Sequence, residues 1–384
     1  MLLRGLRRHC FKVNIPYICT NPSAVRNIHT RCISVNNDCS KDSSSFGLQE
    51  AIRLLNEDQV VGIPTETVYG LGGNALSTEA VSKIFAAKNR PPDNPLIVHV
   101  SSLDMLRSIL PNKLIPKQYM PLLDSFCPGP LTLLFPKSEL IPDIVTCGQP
   151  TVAIRFPSHP VTLALIEQFG KPLAAPSANT SGKPSPTLAE HVCRDLNGKI
   201  PLVLDGGPCE IGVESTVLNG LVTPPVILRP GGVTYEQIRA VPGFEHVLVY
   251  QRDFIDKQLE EKPATPGMKY RHYSPEAPVI LFERSKGIEE TLHNIKSEIQ
   301  GFSQKIGILR TSALPLNISS PEIVEHWLGD ENHPEQVARE LFKGLRDLDR
   351  LDVKLIIVEG IREDHEGLAV MNRLRKAASK IVTA

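Results

Sequence analysis

The chain has 384 residues, 41% of them hydrophobic and 22% charged, with a formal net charge of +0, a length and mix that suit a globular protein of two domains. No stretch approaches the roughly 18 consecutive apolar residues of a membrane-spanning helix, which excludes an integral helical membrane protein. Residues 1–37 hold six Lys/Arg and no Asp or Glu, so the remainder has 36 basic against 42 acidic residues and a charge near −6. A body of that sign does not coat nucleic acid by charge alone.

The leader lacks a long apolar core, which argues against a secretory signal. Its Arg-rich, Ser-containing and acid-free composition suits a mitochondrial transit peptide, and a disordered tail is the alternative for residues 1–45. The next Met after Met1 is Met105, inside the expected folded region, so no shorter form is expected to start from an internal Met in the leader. The eight cysteines, at 10, 19, 32, 39, 127, 147, 193 and 209, show no C-x-x-C spacing, and neither a disulfide nor a structural metal is expected.

After a Ser-rich joint at 43–45, periodicity predicts a helix over 48–56, a buried strand over 60–63, a helix over 79–88 and a strand over 96–100. Further strands are expected at 131–135, 152–156, 173–175, 202–204, 216–218 and 226–228, separated by Gly, Pro and Asn/Asp clusters. Strands outnumber helices, which points to a mixed sheet. Residues 251–278 are polar and proline-rich, as linkers are. Beyond them, strands at 279–282, 306–309 and 355–358 alternate with helices at 288–300, 334–348 and 368–379, a rhythm that predicts a small parallel α/β sheet.

The chain has no phosphate-binding G-x-x-x-x-G-K-[ST], no full dinucleotide fingerprint, no H-E-x-x-H, no G-x-S-x-G and no kinase signature set. An enzyme of this kind would work by holding charged substrates. Pro64 to Gly72 leaves a buried strand through hydroxyls and glycines, which suits a small polar ligand or simply a structural turn. Lys88-Asn89-Arg90-Pro91 sets two cations on a stiff segment, which reads either as a phosphate clamp or as a solvated helix end with favourable charges. Arg155 interrupts an apolar strand, where an unpaired charge is costly, so it requires an anionic partner. Loops 174–182, 205–217 and 229–232 add Ser, Thr, Asn and Arg at strand ends, and one shared basic cleft accounts for all of them.

These segments carry a specific resemblance. Lys88-x-Arg90 with Ser177-x-Asn179 is similar to the K-x-R…S-x-N constellation of the YrdC-like family, and PTETVYGLG, AKNRPPDNPLIVHV, TVAIRFP, APSANTSG, ESTV and RPGG follow its motifs in order. Pro266 to Pro275 resembles the linker, and Gly367 to Leu374 the C-terminal domain, of two-domain threonylcarbamoyl-AMP synthases. The implied fold is α/β: a YrdC-like twisted mixed sheet with helices over 46–250, a linker over 251–278, and a smaller Rossmann-like parallel α/β domain over 279–384.

The resemblance implies conversion of ATP, L-threonine and bicarbonate to L-threonylcarbamoyl-adenylate and pyrophosphate, for the threonylcarbamoyl modification of tRNA beside the anticodon. Motif matching places Thr67, His99, Arg155, Ala175 and Ser215 around threonine, with Arg155 on its carboxylate. Arg90, Asn94, Thr151, Ser177, Ser185, Arg229 and Tyr273 would hold ATP, over a floor completed by Lys88 and Asn179. Mg²⁺ is expected with the ATP, and a tRNA threonylcarbamoyl transferase as the recipient of the product. The segment 266–275, rich in aromatic and cationic residues, is expected to fold over the cleft as a lid with Tyr273 on ATP. Localisation is expected in the cytoplasm, the mitochondrion or both. Two other readings are a carbamoyl transferase of hydrogenase maturation, which should bring Cys pairs, and an RNA-binding module using a basic concavity.

Overall fold

Branched aliphatic runs broken by glycine, proline and asparagine form the strands, and apolar-striped runs form the helices that cover them. The computed structural model describes residues 29–36, 46–256, 272–283, 287–312 and 322–383, with positions 259, 263, 265, 266 and 268. The first sheet comprises β1 (Arg31–Ser34), β2 (Val61–Ile63), β3 (Gly70–Asn74), β4 (Ile97–His99), β5 (Leu131–Pro136), β6 (Thr151–Arg155), β7 (Leu173–Ala174), β8 (Leu202–Asp205), β9 (Thr216–Asn219), β10 (Val226–Arg229) and β11 (Leu248–Val249). Their order across the sheet is β1-β8-β2-β3-β7-β4-β6-β5-β9-β10-β11. Parallel pairs such as β4 with β6 alternate with antiparallel pairs such as β5 with β6, so the sheet is mixed, as its strand-rich sequence implies.

Three of these strands fall outside the expected set, the shortest being β11, two residues at the edge of the sheet. Gly70-Leu-Gly-Gly-Asn74 reads as a turn because it lacks branched residues, yet it is fully buried between β2 and β7. β1 lies inside the segment whose composition marks it as leader. It pairs in parallel with β8, Arg31 pairing with Leu202 and Ser34 with Asp205. Arg31 forms an ion pair with Glu50 on the helix Phe46–Asn56, and just before the strand the Thr30 hydroxyl donates to the Ile200 carbonyl at 2.6 Å. Part of the segment 1–45 is thus a strand of the first sheet. An exposed four-residue edge strand with a polar residue at each end carries little hydrophobic signal. Residues 1–28 and 37–45, including most of the leader and the Ser-rich joint, lie outside the described residues.

The second sheet comprises β12 (Val279–Glu283), β13 (Ile306–Thr311), β14 (Ile323–Gly329), β15 (Leu355–Glu359) and β16 (Lys380–Thr383), ordered β14-β13-β15-β12-β16 with every pair parallel. This is the parallel α/β unit expected, enlarged at both edges. In β14 the sequence Glu325-His326-Trp327 breaks the apolar run, and β16 is only four residues long.

The two units share their interiors. Leu368 of the C-terminal helix Gly367–Ala377 packs into the first core, while Val68 and Val213 of the first domain pack with Val337, Leu341 and Phe342. Gly212 marks the tightest approach. Its φ is +81°, and a Cβ there would sit 2.3 Å from the Cα of Arg339, so conformation and space both require glycine. Tyr273 and Ala277, near the end of the expected linker, are buried in the second core.

Candidate active site

The cleft opens where β3, β4, β6, β7, β9 and β10 end or bend together, and Arg90, His99, Arg155, Ala175, Ser177, Ser215, Arg229 and Tyr273 all line it. Thr65, Glu214, Pro266 and His272 complete the polar and capping part of the wall.

Arg155 ends β6 with its side chain 5% exposed. One terminal nitrogen donates to the Thr67 hydroxyl at 2.8 Å, Nε donates to the Gly129 carbonyl at 3.3 Å, and Nη2 lies 2.7 Å from Glu66 Oε1. The anion that a buried arginine requires is thus supplied by the chain itself. Nε and Nη1 are hydrogen-bonded within the protein, whereas Nη2 makes only the ion pair with Glu66 and keeps its hydrogen-bonding capacity for a ligand carboxylate. Burial opposes the charge on Glu66, but Arg155 and the hydrogen bonds around it hold its carboxyl below the usual carboxylate range.

His99 sits beside this pair, 3% exposed, with Nδ1 3.2 Å from the Ile97 carbonyl. Burial, aided by repulsion from Arg155, pushes its imidazole down to about 3. The ring is therefore neutral at physiological pH.

Arg229 ends β10 and is clamped to the neighbouring loop. Its Nε and Nη2 donate to the Ser215 carbonyl at 3.2 and 2.9 Å, Nη2 also donates to the Ser215 hydroxyl at 3.1 Å, and Nη1 reaches the Pro266 carbonyl at 3.2 Å. Ser215 Oγ in turn meets Thr132 Oγ1 at 2.8 Å. The absence of a side chain at Gly231 makes this possible: a Cβ there would lie 2.2 Å from the Glu214 carbonyl oxygen. Arg90 is held more lightly, with Nε donating to the Asn94 carbonyl at 3.0 Å and Nη2 to the Pro95 carbonyl at 2.8 Å. Three of its N–H groups make no hydrogen bond within the protein, which leaves Arg90 with capacity for an anion. Burial pushes its guanidinium down to about 10, still charged at neutral pH.

Other expected residues stand behind the wall. Lys88 is 1% exposed, and its ammonium donates to the carbonyls of Ser177 and Asn179 at 2.5 and 2.6 Å. It pins the 177–179 loop from beneath, and burial next to Arg90 drives its pKa well below the lysine range. Asn179 is buried too, and its amide donates to the carbonyls of Thr180 and Lys183. Thr67 supports Arg155, the Asn94 carbonyl supports Arg90, and Ser185 donates to Glu214 Oε1 at 2.6 Å. Thr151 is half-buried at the start of β6, away from the cleft lining.

Glu66 and Glu214 lie within the quoted motifs but receive no role from motif matching. The signal was present: arginines in apolar strands demand buried carboxylates, and ETV and ESTV each put a Glu beside hydroxyls. Glu214 is 7% exposed and held down at about 2, mainly by Arg373 and Arg229 against the cost of burial.

Tyr273 has a φ of +67°, uncommon for a residue with a side chain, and is 1% exposed. Its ring packs against His272 at 4.1 Å and Phe342 at 5.2 Å, with the Arg373 guanidinium 5.4 Å away. With Pro266 and His272 it closes the cleft to a cavity of about 50 Å³. Lys269, Tyr270 and Arg271 of the expected lid lie outside the described residues.

Two family models match the chain. Residues 53–231 match the Sua5/YciO/YrdC model, described as telomere recombination, and residues 233–379 match that of the threonylcarbamoyl-AMP synthase C-terminal domain. The threonylcarbamoyl-AMP synthase of Schizosaccharomyces pombe is 48% identical over 365 residues, covering 87% of this chain and 88% of the relative. That of Bacillus subtilis is 47% identical over 335 residues, covering 86% and 92%. The crystal structure of Pyrococcus abyssi Sua5 complexed with L-threonine superposes with a TM-score of 0.81 at 41% identity, over 92% of this chain and all of that one.

Proposed function

The chain belongs to the threonylcarbamoyl-AMP synthase family of nucleotidyltransferases, and on that premise we propose that its cleft takes ATP, L-threonine and bicarbonate and releases L-threonylcarbamoyl-adenylate and pyrophosphate. The convergence of Arg90, Arg155 and Arg229 on one enclosed wall carries this reading. Three buried cations with unused donors suit one carboxylate and a chain of phosphates.

Arg155, aimed by Glu66 and Thr67, receives the threonine carboxylate. Neutral His99, backbone around Ala175 and Ser215 border the same end. Bicarbonate condenses with the free amine of threonine, losing water, to give the carbamate. A carbamate oxygen then attacks the α-phosphorus of ATP as the bond to the bridging oxygen breaks, and pyrophosphate leaves. Arg90 and Arg229 face the phosphates, with Ser177 on the facing loop. In-line orientation and charge neutralisation suffice for this step, and no protein nucleophile is needed. Lys88 and Asn179 serve from below by fixing that loop.

Glu214 is the one acidic side chain lining the cleft among the described residues, and both its oxygens are engaged by Arg373 and Ser185. This donor set suits Mg²⁺ only as an ion that enters on the ATP, held by phosphate oxygens and water. There it would neutralise part of the phosphate charge.

An ATP-sized pocket runs to roughly 300–1,000 Å³, so a cavity of about 50 Å³ supports a capped state that opens for nucleotide. Pro266, His272 and Tyr273 form the cap. Closed over product, it would keep water from a labile mixed anhydride until transfer to a tRNA threonylcarbamoyl transferase. The deciding assay follows pyrophosphate release from ATP. Release that requires both threonine and bicarbonate is the expected result, and equal release without threonine would overturn the assignment.

A further inference from the structure

The carboxylate of Glu214 faces a cleft built for a polyanion, where an uncompensated negative charge would repel phosphate. Arg229 offsets part of that charge from the cleft side, but the direct ion-pair partner comes from the other domain. Arg373, on the C-terminal helix Gly367–Ala377, is completely buried and places Nε 2.8 Å from Glu214 Oε2. Its Nη1 donates to the Pro230 carbonyl at 2.9 Å, next to Arg229, and its guanidinium lies over Tyr273. The other carboxylate oxygen accepts from Ser185, and the Glu214 charge adds to burial in raising the pKa of the Tyr273 hydroxyl. A second arginine of the same domain, Arg346, pairs with Asp195 at 2.9 Å and donates to the carbonyls of Pro184 and Ser185. The loop bearing Ser185 is thus gripped from the C-terminal side at its backbone by Arg346 and at its hydroxyl, through Glu214, by Arg373.

We propose that Arg373 is a positioning residue for ATP: supplied by the C-terminal domain, it neutralises Glu214 and fixes Ser185, Tyr273 and the turn after Arg229 in the arrangement that receives the nucleotide. The proposal rests on the nucleotide reading of the cleft. It gives the C-terminal domain a direct part in the active site, through a residue that does not itself line the cavity.

The charge argument fixes the sign of a double-variant test. Arg373→Gln leaves Glu214 buried, ionised and facing the phosphates, so the KM for ATP should rise about tenfold or more, while the KM for threonine at saturating ATP stays within about twofold. Adding Glu214→Gln to that variant removes the stray charge and should recover most of the ATP affinity, and Arg373→Lys should fall between wild type and Arg373→Gln. Direct titration with a non-hydrolysable ATP analogue checks the same order, and melting temperatures identify any variant that fails to fold. Should Arg373→Gln not fold, the double variant and Arg373→Lys carry the comparison. A wild-type KM for ATP in Arg373→Gln, equal losses for both substrates, or a double variant no better than the single would overturn the proposal. Absence of threonine-dependent pyrophosphate release from the wild-type enzyme would instead remove the nucleotide reading beneath it.

Discussion

The guanidinium of Arg155 and the carboxylate of Glu66 meet at 2.7 Å with side chains only 5% and 6% exposed. Desolvating both charges is costly, and breaking such a pair by removing one partner typically costs about 3–5 kcal/mol. Glu66→Gln should therefore lower stability and, by freeing Arg155 to tilt, raise the KM for threonine by roughly tenfold or more. Arg155→Ala should weaken threonine use further while changing the KM for ATP far less. Steady-state kinetics with each substrate varied in turn check both, and unchanged threonine kinetics in both variants would move the amino-acid site elsewhere.

Arg90 supplies the complementary case. With three N–H groups available and a stiff, proline-bounded setting, it should lose little entropy on meeting phosphate. Arg90→Ala should raise the KM for ATP about ten- to hundredfold, the range expected for a charge-assisted contact, with threonine affinity nearly intact. Isothermal titration with ATP is the direct measurement.

The cap can be tested without breaking the core. Tyr273→Ala would remove a ring packed on Phe342, whereas Tyr273→Phe removes only the hydroxyl, whose pKa burial and the Glu214 charge raise. The Phe variant should fold normally, bind ATP more weakly and form less adenylate per ATP consumed. An unchanged ratio at an unchanged rate would reduce the segment to a tether.

Acid sensitivity follows from the histidines. Burial holds His99, His191 and His272 down near 3, whereas an ordinary imidazole titrates at 6.5. Below pH 6.5 the unfolded chain binds protons that the folded chain refuses, so the stability present above that pH is lost progressively as pH falls toward 3. Glu214, at about 2 against 4.5, adds a second loss that begins only below about 4.5. Urea midpoints should therefore fall between pH 6.5 and 5, before the carboxylates contribute. A flat midpoint across that interval would contradict the burial of the three rings.

The N-terminus gives a two-part expectation. Residues 1–28 fused to a reporter should deliver it to mitochondria if the basic, acid-free composition acts as a transit peptide, and a cytosolic fusion would leave the tail reading. Beginning the protein at residue 29 should preserve its melting temperature, whereas beginning at 46 removes β1 and the buried Val35. Loss of about 2 kcal/mol there would lower Tm by roughly 4–8 °C.

Strands such as 131–136 and 226–229, and the alternation after residue 279, are legible because branched aliphatic residues and breakers dictate them locally. Gly70–Asn74 and Arg31–Ser34 are not, since each is a strand only through its neighbours: one is buried despite having almost no side chains, the other exposed despite being paired. At the site, motif order brings out the cations but not their polarity of use. Lys88 reads as a ligand from its motif, yet here its ammonium reaches the carbonyls of Ser177 and Asn179, in a loop that is distant in sequence. Arg373 was beyond reach for the same reason, its partner lying 159 residues away.

Because Leu368 sits in the first core and Val68 and Val213 in the second, the halves cannot be exchanged between relatives as interchangeable modules. A chimera that takes its C-terminal half from another member must inherit a matched set: a helix that tolerates Gly212 against position 339, an arginine for Asp195, an arginine for Glu214 and an apolar plug at 368. Grafting the surface of the joint without those four would yield two halves that fold beside each other, with a nucleotide pocket neither of them can complete.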